Sequence, residues 1–306
     1  MKSTSDAWSL ILTAPQPMPA IIAALSRRCL ARDLEISSFR TLAEHSRNPS
    51  EEGLWAVELT LFAPPSIGGI SFLEEWLNGS GCAGLGFSLL SWRHRRLPKR
   101  LLAMDMDFSL IEQEGIDELA RELGVYDEVA QVTQRAMRGE MDFDESLRQR
   151  CRCLAGAPLS IFERVRRRLS LTPGAESLLR TVHQQGCKTA LLSGGFQELG
   201  ALLARRLGFD HFYANRLEAR QGLLTGRLEG EIVNPQRKAS IVRQLARRQG
   251  VSREELVVLG DGANDLPMLA EAGLGIAFDA KPAVQQQAKH SLSVRRLEAV
   301  RYLMGG

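Results

Sequence analysis

A chain of 306 residues has room for about two domains at roughly 150 residues each, and 44% hydrophobic with 25% charged residues is the composition of a folded globular protein. A formal charge of +3 is too small to argue for nucleic acid, and no apolar run reaches membrane-spanning length. Five cysteines, odd in number and scattered, argue against a disulfide framework and fit a reducing cytoplasm, as does a start too broken by prolines for a good signal peptide.

In chain order, SLILTA (9–14) reads as a strand and PAIIAALSRRCLARD (19–33) as a helix, with Pro19 suited to its first turn. WAVELTLFA (55–63) is a further strand, SFLEEWLNG (71–79) a short helix and GFSLLSW (86–92) another strand. A βαββαβ order makes this a small α+β unit of roughly 90 residues. Trp8, Trp55, Trp76 and Trp92 all fall in it, and the basic, Pro-containing WRHRRLPKR (92–100) marks a boundary near residue 95. GSGCAG (79–84) matches G-x-G-x-x-G, with Asp105 about 20 residues later. It follows a helix and precedes a strand, the reverse of a dinucleotide site, and reads as a loop.

Beyond residue 100, RLLAMD (100–105), KTALLSG (188–194), HFYANRLEA (211–219), ELVVLGD (255–261) and LGIAF (274–278) are strand candidates. All but the third are apolar without alternation, as parallel strands covered on both faces are. The polar, helically spaced stretch of about 113–170 is too long and charged for a crossover and predicts a helical cap. Within it Cys151 and Cys153 form a lone C-x-C, read as helix residues. RVRRRLS (164–170) and RQLARRQG (243–250) read as solvated helix faces. His45, His94, His183, His211 and His290 are dispersed and lie in no motif, so nothing supports histidine-based hydrolysis.

Three of the parallel strands end in polar, small or acidic residues: DMDFS (105–109), SGG (193–195) and GDGAND (260–265). Ligands of open α/β sheets bind beyond the carboxyl ends of the strands, so Asp105, Asp107, Ser193, Asp261 and Asp265 converge there. Clustered carboxylates repel, and a divalent cation, Mg²⁺ by its preference for oxygen ligands, resolves the repulsion. One of the paired acids can then be a nucleophile while the other moves protons. Ser193, Gly194 and Gly195 offer a hydroxyl and accessible N–H groups to an anion, and Lys238 can balance developing charge. Taken singly, a D-x-D is more often a solvated loop, SGG a turn and a lysine a surface residue. Their order along the chain, each acid at a strand end, points to one site.

Residues 100–303 resemble the haloacid dehalogenase superfamily of phosphotransferases and, within it, the phosphoserine phosphatases. The segments that carry the resemblance are IDELARELGVYDEVAQVTQRAMRGEMDFDESLRQR (116–150), LTPGAESLL (171–179), SGGF (193–196), YANRLE (213–218) and GDGANDLPMLAEAGLGIAFDAKP (260–282). The resemblance implies an α/β fold: a Rossmann-like parallel sheet with the cap inserted after its first strand. It also implies an aspartyl-phosphate mechanism, with Asp105 as nucleophile and Asp107 as general acid and base. Mg²⁺ would be held by Asp105, the Asp107 carbonyl and Asp261, with Asp265 in support. Ser193, Gly194, Lys238 and Asn264 would hold the phosphoryl group. Glu114 matches the acid that meets the substrate ammonium, Arg150 the arginine that takes its carboxylate, and Met137 and Phe143 the apolar wall. The substrate implied is phosphoserine, the alternative being another small phosphomonoester; an inactive amino-acid sensor would not need to keep these acids.

The chain departs from the family at three positions. Phe108 and Ser109 stand where D-x-D-S-T is usual, Ser109 keeping a hydroxyl and Phe108 adding bulk beside the active acids. Gly115 replaces a β-branched residue and is expected to loosen the cap hinge. The N-terminal 1–95 resembles, more weakly, an ACT-like domain, leaving open serine binding, homodimer formation or a structural role.

Overall fold

The computed structural model describes residues 7–45, 54–62, 71–77 and 85–305, so the GSGCAG stretch lies outside the described residues. Strand β1 (Ala7–Ala14), helix α1 (Pro19–Leu30), β2 (Glu35–His45), β3 (Leu54–Phe62), α2 (Ser71–Leu77) and β4 (Gly86–Ser91) follow the expected βαββαβ order, with β2 a strand for which no segment was singled out in the sequence. Its antiparallel sheet runs β2-β3-β1-β4, a ferredoxin-like order. Period-two alternation sorts β1 between two cores. Leu10, Leu12 and Ala14 pack with Leu25 and Cys29 of α1 and with Leu73 and Leu77 of α2. Ile11, on the opposite face, joins Leu54, Ala56 and Leu90 in the core of the rest of the chain.

The basic connection is used internally. Ser91 caps the short α3 (Trp92–Arg96), accepting from the His94 N–H at 3.2 Å. Arg95 pairs with Glu58 of the first sheet at 3.1 Å, both nearly buried. Lys99 donates to the carbonyls of His94 and Glu254, each at 2.9 Å, tying the linker to the second sheet.

The second sheet is built from β5 (Leu101–Asp105), β6 (Lys188–Phe196), β7 (His211–Arg220), β8 (Leu223–Glu229), β9 (Leu256–Gly260), β10 (Leu274–Phe278) and β11 (His290–Leu292). Its order is β11-β10-β9-β5-β6-β7-β8, parallel except for the β7/β8 pair. On the central β5, Leu102 and Met104 share a cluster with Leu178 and Val182 of α8 (Ala175–Gln184). Leu101 and Ala103 face the other way, onto Ile241, Val242 and Leu245 of α10 (Pro235–Gln249). Burial on both faces explains the unbroken apolar runs. The sequence reading left β8 and β11 out: β8 is a part-exposed antiparallel edge, and β11 has three residues.

The cap consists of α4 (Gly115–Leu123), α5 (Tyr126–Met137), α6 (Phe143–Arg152) and α7 (Ile161–Arg166), between β5 and α8. It has its own core, in which Leu119, Val129, Leu147, Phe162 and Val165 meet. Its far end is sewn to β8 by backbone bonds from Gly156 N–H to the Leu224 carbonyl and from Leu224 N–H to the Ala157 carbonyl, both 2.8 Å. Helix α9 (Gln197–Leu207) follows β6 directly. Among the described residues no helix is long and apolar enough to cross a membrane.

Strands β4 and β11 meet where the two sheets touch. His290 is buried, which holds its ring pKa down to about 3, so the ring is neutral. Its Nε2 faces the Gly273 carbonyl at 3.3 Å and must carry the proton; Nδ1 then accepts from the Ser88 hydroxyl at 3.2 Å. A Cβ on Gly86 would stand 2.5 Å from Thr13 Oγ1 and 2.6 Å from the Ser293 nitrogen. Gly86→Ala is therefore expected to destabilise the protein by about 1–3 kcal/mol in urea denaturation; an unchanged midpoint would show that the two sheets are not packed so closely.

Candidate active site

Asp105 ends β5, almost wholly buried, and its Oδ1 accepts from the Met106 N–H at 2.8 Å and from Lys238 Nζ at 2.7 Å. Among the described residues nothing donates to its Oδ2, which leaves that oxygen free to react. Lys238 also donates to Asp265 Oδ1 at 2.9 Å. Burial by itself would lower the ammonium's pKa, but the two carboxylates outweigh it and raise it, so Lys238 stays charged. It sits one turn inside α10, whose N-cap Asn234 accepts from the Arg237 N–H at 2.9 Å.

Beyond Asp105 the chain makes a tight loop, closed by Ile111 N–H to the Met106 carbonyl at 2.9 Å. Asp107 turns away from Lys238: its Oδ1 accepts from the Gly115 N–H at 2.7 Å and its Oδ2 from the Ser193 hydroxyl at 3.0 Å. Ser193 in turn accepts from the Gly195 N–H at 2.8 Å. Gly115 opens α4 in close contact with its neighbours. A Cβ there would lie 2.9 Å from Leu199 and 3.1 Å from Asp107 Oδ1, so its bareness permits a close approach. Phe108 adopts the left-handed region (φ 54, ψ −1) and stays exposed. Ser109 is buried, its hydroxyl 3.5 Å from Asp261 Oδ1.

Asp105, Asp261 and Asp265 each present an oxygen, all within 4.8 Å of one another. Burial, then the Asp265 charge, raises Asp105 well above the usual carboxylate range, with Lys238 opposing, and lifts Asp261 to about 7. One ammonium does not balance three carboxylates, so the cluster fits a divalent cation. Asp107 is also raised, by burial, against the bonds from Gly115 and Ser193. Asn264 donates to Asp265 Oδ1 at 3.2 Å.

These groups open on a cavity of about 310 Å³ under the cap. Asp105, Asp107, Phe108, Lys238, Gly194 and Asn264 line it from the sheet side, and Glu114, Met137, Phe143 and Arg150 from the cap side. Ser109, Ser193 and Asp265 are fully buried behind its wall. The cap lies close: a Cβ on Gly194 would stand 3.0 Å from the Phe143 ring. Arg150 has a buried Nε with no hydrogen-bond partner and makes no ion pair among the described residues. Glu114 is pushed up to about 8 by burial and by Asp107, with Arg150 opposing.

The sequence reading missed Asp117, Thr133 and Leu147, which also line the cavity. Helical spacing was their signal: each lies three or four residues from a residue already singled out, Glu114, Met137, Phe143 or Arg150. Lys281, at the rim, follows β10 in a loop and had no periodicity to reveal it.

Residues 101–270 match the family described as haloacid dehalogenase-like hydrolase. A phosphoserine phosphatase of Archaeoglobus fulgidus is 48% identical over 199 residues, which are 65% of this chain and 58% of that protein. The chain thus spans little more than half the length of that curated relative. A solved haloacid dehalogenase family hydrolase from Salmonella enterica serovar Typhi covers 97% of this chain and 98% of its own, with a TM-score of 0.80 and 30% identity. A phospho-aspartyl intermediate analogue of phosphoserine phosphatase covers 67% of this chain and 99% of its own, with a TM-score of 0.63 and 39% identity.

Glu114 carries a pH signature. Its folded pKa of about 8 lies above the ordinary 4.5, so the folded state holds the proton longer. The group costs no stability below the ordinary value and progressively more as pH rises toward 8. Because the side chain borders the open cavity, the expected effect is about 2 kcal/mol rather than the full shift. In ligand-free, metal-free protein, the stability advantage of Glu114→Gln over wild type should grow by that amount between pH 5 and pH 8, read from urea midpoints. A constant advantage would contradict the burial of Glu114.

Proposed function

The chain belongs to the haloacid dehalogenase-like hydrolases, and from that membership we propose that it hydrolyses O-phospho-L-serine to L-serine and phosphate, the last step of serine biosynthesis. The observation that carries the substrate is an arginine and a desolvated acid on the cap side of one cavity, with no ion pair between them. Arg150 offers a guanidinium with a buried, unpartnered Nε, suited to a carboxylate in a bidentate fork. Glu114 is a desolvated acid whose raised pKa falls when an ammonium arrives. An amino acid bearing a phosphate brings both partners.

In this reading Asp105 attacks phosphorus through its free oxygen while Lys238 fixes the other. The bond from phosphorus to the serine oxygen breaks, and Asp107, whose proton affinity burial raises, gives that oxygen its proton. Asp107 then takes a proton from water, whose hydroxide displaces Asp105 from the aspartyl-phosphate and frees phosphate. Gly194, Lys238 and Asn264 hold the phosphoryl oxygens, and Met137 and Phe143 form the apolar wall. Ser193, expected among the phosphoryl binders, is buried behind the wall with its hydroxyl on Asp107, and orients that acid instead. Asp105, the Asp107 carbonyl and Asp261 would hold Mg²⁺, with Asp265 in support. The bound ion supplies positive charge that draws electron density from the phosphoryl group. The N-terminal unit of about 1–95 is read as ACT-like, regulatory or dimerising, which its ferredoxin-like strand order supports.

The test is phosphate release with Mg²⁺ over phosphoserine, phosphothreonine, phosphoethanolamine and p-nitrophenyl phosphate. Phosphoserine should lead; equal turnover of phosphoethanolamine, which has no carboxylate, would remove the reading. Asp105→Asn is expected to abolish turnover while the protein still folds, and substantial residual activity would exclude the covalent route. Arg150→Ala should lower kcat/KM for phosphoserine by about 10²-fold or more, yet leave p-nitrophenyl phosphate within about threefold.

A further inference from the structure

Phe108 and Met137 are large apolar side chains left 42% and 70% exposed, and both line the catalytic cavity, one from the loop after β5, the other from the end of α5. Phe108 is also held at φ 54, a conformation that strains a bulky residue and that glycine adopts freely. The loop does not require the ring. Its closing bonds are backbone bonds, from Ile111 N–H to the Met106 carbonyl at 2.9 Å and from Phe108 N–H to the Gln113 carbonyl at 3.4 Å. A strained, half-exposed ring that its own loop does not need points to a role in the cavity it borders.

Its place along the chain says which part of the cavity. Phe108 follows Asp107, to which the proposed function gives the leaving-group oxygen, and both line the same cavity, so the ring can reach the part of it that takes the leaving group. We propose that Phe108 is a specificity-determining residue. Its ring fills the space beside the leaving group, so the cavity takes a small phosphomonoester of a primary alcohol and rejects one branched or aromatic at the ester carbon. The inference rests on the proton-donor role given to Asp107 under the proposed function. It deepens that reading by separating phosphoserine from phosphothreonine, which differs by one methyl group at that carbon.

The experiment compares kcat/KM of the full chain and of Phe108→Gly, Phe108→Ala and Phe108→Leu on phosphoserine, phosphothreonine, phosphoethanolamine and p-nitrophenyl phosphate with Mg²⁺, alongside thermal melts. Loss of the ring should raise the phosphothreonine to phosphoserine ratio at least about 10-fold in the Gly and Ala variants, the scale of one methyl group in a tight pocket. Phe108→Leu should stay within about threefold of wild type. Inhibition by inorganic phosphate should be unchanged throughout, because the phosphoryl half of the site is untouched. Phe108→Gly should melt no lower than wild type, so that selectivity falls while stability does not. An unchanged ratio in both Gly and Ala variants overturns the proposal, as does a parallel loss on every substrate together with a lower Tm. If the wild type does not turn over phosphoserine, that reading fails on its own. The gate is then judged by the p-nitrophenyl phosphate to phosphoethanolamine ratio, which should rise in the same variants and, if flat, overturns it.

Discussion

An ammonium buried between two carboxylates is the constraint on which this structure depends. Lys238 is 1% exposed, and an isolated charge at that depth would cost several kcal/mol. Its bonds to Asp105 and Asp265 offset that cost and, in doing so, lock three separate pieces of chain together. These are the end of β5, the loop after β9 and the first turn of α10. Asn234, which caps α10, spends its carbonyl on the helix and its amide on Asp144 of the cap helix α6, at 3.1 Å. The residue that seats the helix bearing Lys238 thus also touches the element bearing Arg150. The sheet side and the cap side of the cavity share one frame.

Much of this frame was legible in the sequence because it follows from rules with few exceptions. Parallel strands covered on both faces must be apolar throughout, and β5, β6, β9 and β10 read that way. Acids at their carboxyl ends must meet, whatever the separation along the chain. What stayed hidden had no one-dimensional trace. The antiparallel edge β8 lacks a full apolar face, and Gly226 interrupts it where the strand presses on α6. The left-handed turn at Phe108 defies the residue's own preference. The bonding of Asp107 to Gly115 and Ser193 needed coordinates. A glycine in place of a β-branched residue suggests slack; it also leaves room where its backbone N–H lies 2.7 Å from a carboxylate.

The first sheet shows a similar economy. Its helices cover one face, and the other, with Ile11, Ala56 and Leu90, enters the large core. The basic connection that marks the boundary supplies two buried cations: Arg95 to Glu58 and Lys99 to the Glu254 carbonyl. Charges committed this way are not available to an outside partner, consistent with the small net charge. Any signal from the N-terminal unit would reach the second sheet through this seam and the contact between β4 and β11.

The two acids two residues apart are given different work by their surroundings. Asp105 lies with Asp261 and Asp265, where three carboxylates carry more negative charge than Lys238 balances, so the cluster takes up either protons or a cation. Asp107 is turned out of that cluster. Its oxygens accept from an amide and a hydroxyl, neutral donors that orient the group without supplying a charge to keep it ionised. Burial then favours its protonated form. Under the proposed function, Asp105, Asp261 and Asp265 would hold a cation that offsets their mutual repulsion and would favour the ionised form of Asp105. Two identical side chains thus sit in different surroundings: Lys238 bonds Asp105 directly, whereas Asp107 feels that ammonium only at a distance.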